Sequence, residues 1–384
     1  MKKRLFSLKR PWIAFIILIM ALTMALGAVQ LWAEDNNNMA DENGNSVPNG
    51  MEKEQRLTIV PTMLDAVSAD SAWCGTFQLV WNDMKNEVVK GDVIFNPQME
   101  MVENLNKGTF TSDMLSDDYY YKKWGKKTPE LKAEIEQGIK DKFDETSDVL
   151  DDIDWSEGAL DDPYNPIIDR YLFYVMLKRK FEYPIEFTKL PESEFNGKSG
   201  VTYFGIDDTT GSEVKKQVEV LYYTSQDDFA FLVGTKGDDE LIFVKNPEGS
   251  TFDAIYKDVE QKASGYWGNK DLDKRDGVKI PNLNFNEKRV YDELAGHEFP
   301  TECGVGEIMK AIQTLKFSLD EKGGEVKSES TIDILTMSAL PESRNFYLDG
   351  TFALFIREKG QPQPYFAAHV DDIAKFQMSA PREL

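Results

Sequence analysis

Residues 218–245 read VEVLYYTSQDDFAFLVGTKGDDELIFVK, and this stretch constrains the fold more than any other. The runs VEVLYY, DFAFLVG and ELIFVK are short, rich in aromatic and β-branched residues, and separated by Asp, Gly and Thr. That is the pattern of successive β-strands joined by tight turns. Further on, LKFSL, FALFIRE and PYFAAHV repeat it, the last two joined by a Lys-Gly-Gln-Pro-Gln turn. The first half of the chain differs. Trp73, Phe77, Val80, Trp81 and Met84 recur at helical spacing and predict a helix over residues 66–86. Leu131, Ile135, Ile139 and Phe143 predict another over residues 129–143, with Pro129 at its first turn. Helices early and antiparallel strands late predict an α+β body.

The chain has 384 residues, 41% of them hydrophobic, enough for a sizeable core. Its formal net charge is −23, and Lys2, Lys3, Arg4, Lys9 and Arg10 crowd the first ten residues, so the remainder is more acidic still. Such a body repels nucleic acid and anionic membrane surfaces, and the charge reads as a solvated surface. No charged residue lies between Trp12 and Ala33. A basic start before that run marks residues 1–33 as an export signal or an uncleaved signal-anchor. Ala25 and Gly27 offer a small-x-small cleavage position, while residues 12–33 are long enough for a membrane tether. Either way the body is expected outside the cytoplasmic membrane, secreted or anchored to its outer face. Residues 34–55, rich in Asn, Gly and acid, read as a flexible tether, and a single folded domain is expected over 56–384, as a monomer.

Catalytic and metal-binding arrangements do not emerge. There are two histidines, His297 and His369, and two cysteines, Cys74 and Cys303, with neither Cys-x-x-Cys nor His-x-x-x-His spacing. Glycine motifs for nucleotides and the G-x-S-x-G nucleophile turn are also missing, so neither an enzyme nor a cofactor is expected. Cys74 and Cys303 could pair in an oxidising compartment, but Cys74, next to Trp73 on the apolar face of the first helix, reads rather as a small buried residue. The acidic run from Asp151 to Gly158 superficially matches a calcium loop. Its Gly comes one place late when counted from Asp152, and Pro163 occupies the bidentate position. It reads as an acidic surface turn.

One segment carries a stronger signal. Residues 309–341 read MKAIQTLKFSLDEKGGEVKSESTIDILTMSALP, in which a strand beginning at Lys310-Ala311-Ile312 runs into the turn Asp320-Glu321-Lys322-Gly323 and on to Glu325. This resembles the serpin family, in which the last long strand of the main sheet leads into a hinge and then an exposed reactive loop. Counting Glu321 as first, the seventeenth residue is Met337, followed by Ser338. The resemblance implies that this is the scissile bond, bait for chymotrypsin-, elastase- or subtilisin-like serine proteases.

Weaker matches follow in the same order along the chain. Residues 92–97 (DVIFNP) are similar to the serpin N-I-F-F-S-P turn, 177–184 (LKRKFEYP) to F-K-G-x-W-x-x-P, and 219–223 (EVLYY) to L-E-L-P-Y. Residues 278–285 (VKIPNLNF) are similar to V-x-L-P-K-F-K-I, and 352–370 to the closing strand pair. There are departures. The stretch between Pro97 and Leu177 is short, so reduced helices and a reduced main sheet are expected there. Gln313 stands for the expected histidine, Phe173 and Phe181 for Asn and Trp, and Gly324 for the hinge threonine. The usual alanine run is Val326-Lys327-Ser328-Glu329.

The resemblance implies that the cut loop enters the main sheet as a new strand and traps the protease as an acyl-enzyme. Insertion requires one face of the loop to be small or apolar, because successive side chains alternate between faces. Taken by twos, Gly324, Val326, Ser328, Ser330, Ile332 and Ile334 form one face, and every charge falls on the other. A buried Lys or Glu would cost several kcal/mol and none is there. The same alternation also describes an ordinary half-buried strand. Two functions follow: a suicide inhibitor of serine proteases, or a serpin-like surface protein that binds a partner without trapping.

Overall fold

A computed structural model describes residues 57–155, 170–302, 304–322 and 343–377. The export or anchor segment, the tether and Cys303 lie outside these residues. So does the loop from Gly323 through Gly324, Glu325, Val326, Ser328, Ser330, Ile332 and Ile334 to Met337 and Ser338.

In chain order the strands are β1 (Thr58–Ile59), β2 (Ser71–Cys74), β3 (Tyr120–Lys126), β4 (Tyr171–Leu177), β5 (Thr188–Phe195), β6 (Lys198–Ile206), β7 (Val218–Ser225), β8 (Asp228–Gly234) and β9 (Asp239–Lys245). There follow β10 (Gly277–Pro281), β11 (Leu283–Val290), β12 (Glu298–Thr301), β13 (Gly304–Glu307), β14 (Ile312–Leu319), β15 (Asn345–Tyr347), β16 (Phe352–Glu358) and β17 (Phe366–Val370). The α-helices are α1 (Thr76–Met84), α2 (Glu100–Lys107), α3 (Pro129–Phe143), α4 (Asp148–Asp151), α5 (Ser212–Lys215) and α6 (Phe252–Gly265). The fold is mixed α+β, with four of these six helices before residue 152 and most of the strands after it.

The meander read from residues 218–245 forms the centre of a seven-stranded sheet of order β1-β2-β17-β16-β9-β8-β7. Phe229, Phe231, Phe243, Phe352, Leu354 and Phe355 are completely buried in it. Their aromatic bulk suits a strand covered on both faces. A second sheet, β15-β10-β6-β5, shares the same hydrophobic core through Phe204, Val278, Ile280 and Phe346. The run 278–285 is broken at Asn282: β10 belongs to this second sheet and β11 to another.

Helix α3 matches its predicted bounds. Thr128 caps it by accepting the Leu131 N–H at 3.2 Å, and Leu131, Ile135 and Ile139 bury one face. The first predicted helix needs correction. Residues Ser71–Cys74 are strand β2, paired with β17 through Cys74↔Phe366 and Trp73↔Ala367, and the helix starts only at Thr76. Trp73 and Phe77 both bury, but in different elements. Sheet pairing overrides helical spacing there, so Cys74 sits on a strand rather than on a helix face. Strand β14 likewise begins at Ile312, leaving Lys310 and Ala311 before it.

Candidate functional site

The site is the ground around the two ends of residues 323–342. Two of the described antiparallel ribbons are β11–β14, whose second strand leads into the first end, and β3–β4. Among the described strands, β4 pairs only with β3 and β14 only with β11. Val175 and Leu177 of β4 and Leu315, Leu319 and Phe317 of β14 pack on one core cluster. Both ribbons therefore cover the same hydrophobic body. Helix α4 stands against each of them. Its N-cap Ser147 is hydrogen-bonded to the Tyr174 hydroxyl of β4 at 3.0 Å, and Asp148 pairs with Lys316 of β14 at 3.0 Å.

The acidic run that superficially matches a calcium loop begins here. Asp152 pairs with Lys288 of β11, and its carbonyl accepts from the Lys310 ammonium at 2.7 Å. Asp151 pairs with Lys132 of α3 at 3.3 Å. These acids meet lysines on α3, on β11 and just before β14, and among the described residues no group of three or more His, Cys, Asp or Glu is arranged to hold a metal ion.

Glu321 is the one member of the predicted hinge and loop set within the described residues. It is 5% exposed. Its carboxylate pairs with Lys189 of β5 at 3.0 Å, and its carbonyl accepts the Phe187 N–H at 3.0 Å. Hydrogen bonding to Glu321 holds the Lys189 ammonium above its usual range. The far end is tied as firmly. Arg344 donates from Nη2 to Asp276 at 2.7 Å and from Nε at 3.0 Å, and also reaches the carbonyls of Asn269 and Asp271. Residues 323–342 thus run between two charged anchors. Sequence reasoning missed Lys189 and Arg344, because each pairs with a residue far along the chain and neither stands in a recognisable motif.

Gln313, at the position of the expected histidine, is 4% exposed. Its amide donates to the Cys74 carbonyl at 3.2 Å and to the Thr76 hydroxyl at 3.1 Å, and its oxygen accepts from Tyr291 at 2.7 Å. It joins β14 to the junction of β2 and α1. Cys74 is buried, which pushes its thiol pKa up and makes it a poor nucleophile. His369 of β17 bonds the Ala69 carbonyl through Nδ1 at 2.7 Å.

No family model matches the chain, and no curated protein matches it. Many solved structures are similar to it, and three of them illustrate the likeness. Serpin48 of the insect Tenebrio molitor aligns over 79% of this chain and 92% of its own, at 12% identity and a TM-score of 0.41. Human thyroxine-binding globulin complexed with thyroxine aligns over 64% of each chain, at 12% identity and a TM-score of 0.37. This chain therefore spans less than two thirds of that globulin. A second complex of thyroxine-binding globulin with thyroxine aligns over 67% of this chain and 77% of its own, at 11% identity and a TM-score of 0.38.

Proposed function

We propose that the chain is a serpin-like, extracytoplasmic inhibitor of serine proteases, with residues 323–342 as bait and Met337-Ser338 as the bond attacked. The observation that carries this proposal is the strand edge left on each ribbon: among the described strands, β4 and β14 each have one partner only, over one shared core. A strand with small or apolar residues on one face and its charges on the other could add there, satisfying backbone groups and burying Val326, Ile332 and Ile334. Anchors at Glu321 and Arg344 keep the ends of the bait near the body.

Incubation with chymotrypsin, elastase and subtilisin should give an SDS-resistant adduct of the inhibitor's N-terminal fragment with protease. Nicked protein alone, across the whole panel, would sink the proposal. A second function is favoured by α4, whose ties to both ribbons through Tyr174, Lys316 and Lys288 resist their separation. On that account the body binds a partner and the loop is cut without trapping. Cleavage would then leave the melting temperature unchanged and form no adduct.

A further inference from the structure

The segment 177–184 carries Arg179 where the serpin-like pattern has glycine. Its side chain is 2% exposed and enters an acidic gap. Asp239 opens β9 and Glu358 closes β16, and the two stand directly opposite each other in the β9–β16 ladder. Facing carboxylates on neighbouring strands repel. Arg179 lies between them, with Nε 2.7 Å from Asp239 Oδ1 and Nη1 bonded to Glu358 Oε1. Its guanidinium stacks 3.9 Å over the Tyr119 ring. The Tyr365 hydroxyl donates to Asp239 at 2.8 Å, and the Ser116 N–H donates to Glu358 at 2.8 Å.

The chemistry has a mechanical counterpart. Ser116 and Tyr119 lead into β3, and Arg179 follows β4. Every strand-end that enters or leaves the β3–β4 ribbon at this side is thus gripped by two carboxylates of the seven-stranded sheet. We infer that Arg179, Asp239 and Glu358 form an ionic latch that fixes one end of the β3–β4 ribbon to the main body and tightens on acidification.

Two carboxylates face one guanidinium, so the closed latch buries one surplus negative charge. The other group against the Asp239 carboxylate is the Tyr365 hydroxyl, which brings no compensating positive charge. Burial, with a smaller push from Glu358, raises the Asp239 pKa despite Arg179. A carboxyl whose folded pKa is raised favours the protonated native state. Its stabilising contribution is present at low pH and fades as the pH rises through the folded value. Protonating Asp239 leaves Arg179 and Glu358 as a balanced pair. The regulatory use of the latch rests on the bait-loop proposal: a ribbon held here resists moving aside for a further strand.

Hydrogen–deuterium exchange of residues 120–126 and 171–177 in the full chain tests the latch, at neutral pH and at the lowest pH where the chain still melts cooperatively, after correction for intrinsic rates. Wild-type protein should exchange more slowly in these strands at the lower pH. Arg179→Met should speed their exchange at least about tenfold at both values. Asp239→Asn should abolish the pH dependence. If Arg179→Met fails to give a cooperative melt, Arg179→Lys, which keeps the charge but loses the fork, should fall between it and wild type. Unchanged ribbon exchange in the folded arginine variant, or undiminished pH dependence in Asp239→Asn, overturns the inference. Adduct formation is scored separately, so a working latch without adducts would count against the bait proposal alone.

Discussion

Asp276 is the most completely buried carboxylate near the loop, with no side-chain exposure. Four donors satisfy it: Arg344 through Nε, Nη2 and its backbone N–H, and the Asp273 N–H at 2.8 Å. The Lys215 ammonium locks the same turn by donating to the carbonyls of Asp273, Lys274 and Asp276. Removing one partner of a buried pair costs more than the pair itself contributes, because the other charge is stranded. Arg344→Ala should therefore lower the unfolding free energy by about 3–5 kcal/mol, read by chemical denaturation. A loss under about 1 kcal/mol would mean that the carboxylate finds water, and that the loop's C-terminal anchor is weaker than its geometry implies. Charge pairs of this kind were illegible in the sequence. Arg179 sits in the run Lys178-Arg179-Lys180, which looks like solvated surface, and Lys189 and Glu321 are joined only by the fold.

Among elements, legibility followed how local the deciding forces are. Helix α3 was readable because its cap, its Pro and its buried stripe all lie within residues 128–143. The strands β7, β8, β9, β16 and β17 were readable because aromatic and β-branched runs between turns admit little else. Strand β2 was not: Ser71 and Ala72 pair with β1 on one side, and Ala72 and Trp73 with β17, from near the far end of the chain, on the other. The two-stranded ribbons β3–β4 and β11–β14 were equally hidden, since β3 and β4 lie more than 40 residues apart in the chain. A local device gives a local prediction. Thr128→Ala removes the acceptor for Leu131 N–H and should cost about 1 kcal/mol of stability in equilibrium unfolding. Thr128→Ser should restore nearly all of it, because either hydroxyl can cap; if both variants lose the same amount, something other than the cap is being measured.

At the scale of the molecule, the loop divides the chain unevenly but not the core. Everything after residue 342 includes β15, β16 and β17, and β16 runs in the interior of the seven-stranded sheet between β9 and β17. Its Phe352, Ala353, Leu354 and Phe355 are fully buried, and β15 pairs with β10 in the second sheet. To leave, the C-terminal piece would have to break its ladders to β9, β2 and β10 and expose that apolar surface to water. A cut anywhere in residues 323–342 should thus give two bands under denaturing electrophoresis but one species of unchanged mass in native size exclusion. Release of the smaller fragment in native buffer would contradict this placement of β16. The same sample separates the two proposed functions. If the freed end of residues 323–342 then adds to a ribbon edge as a further strand, the cut protein must melt well above the intact one. If α4 holds the ribbons as they are, cleavage relieves only the connection between Glu321 and Arg344, and the melting temperature stays where it was.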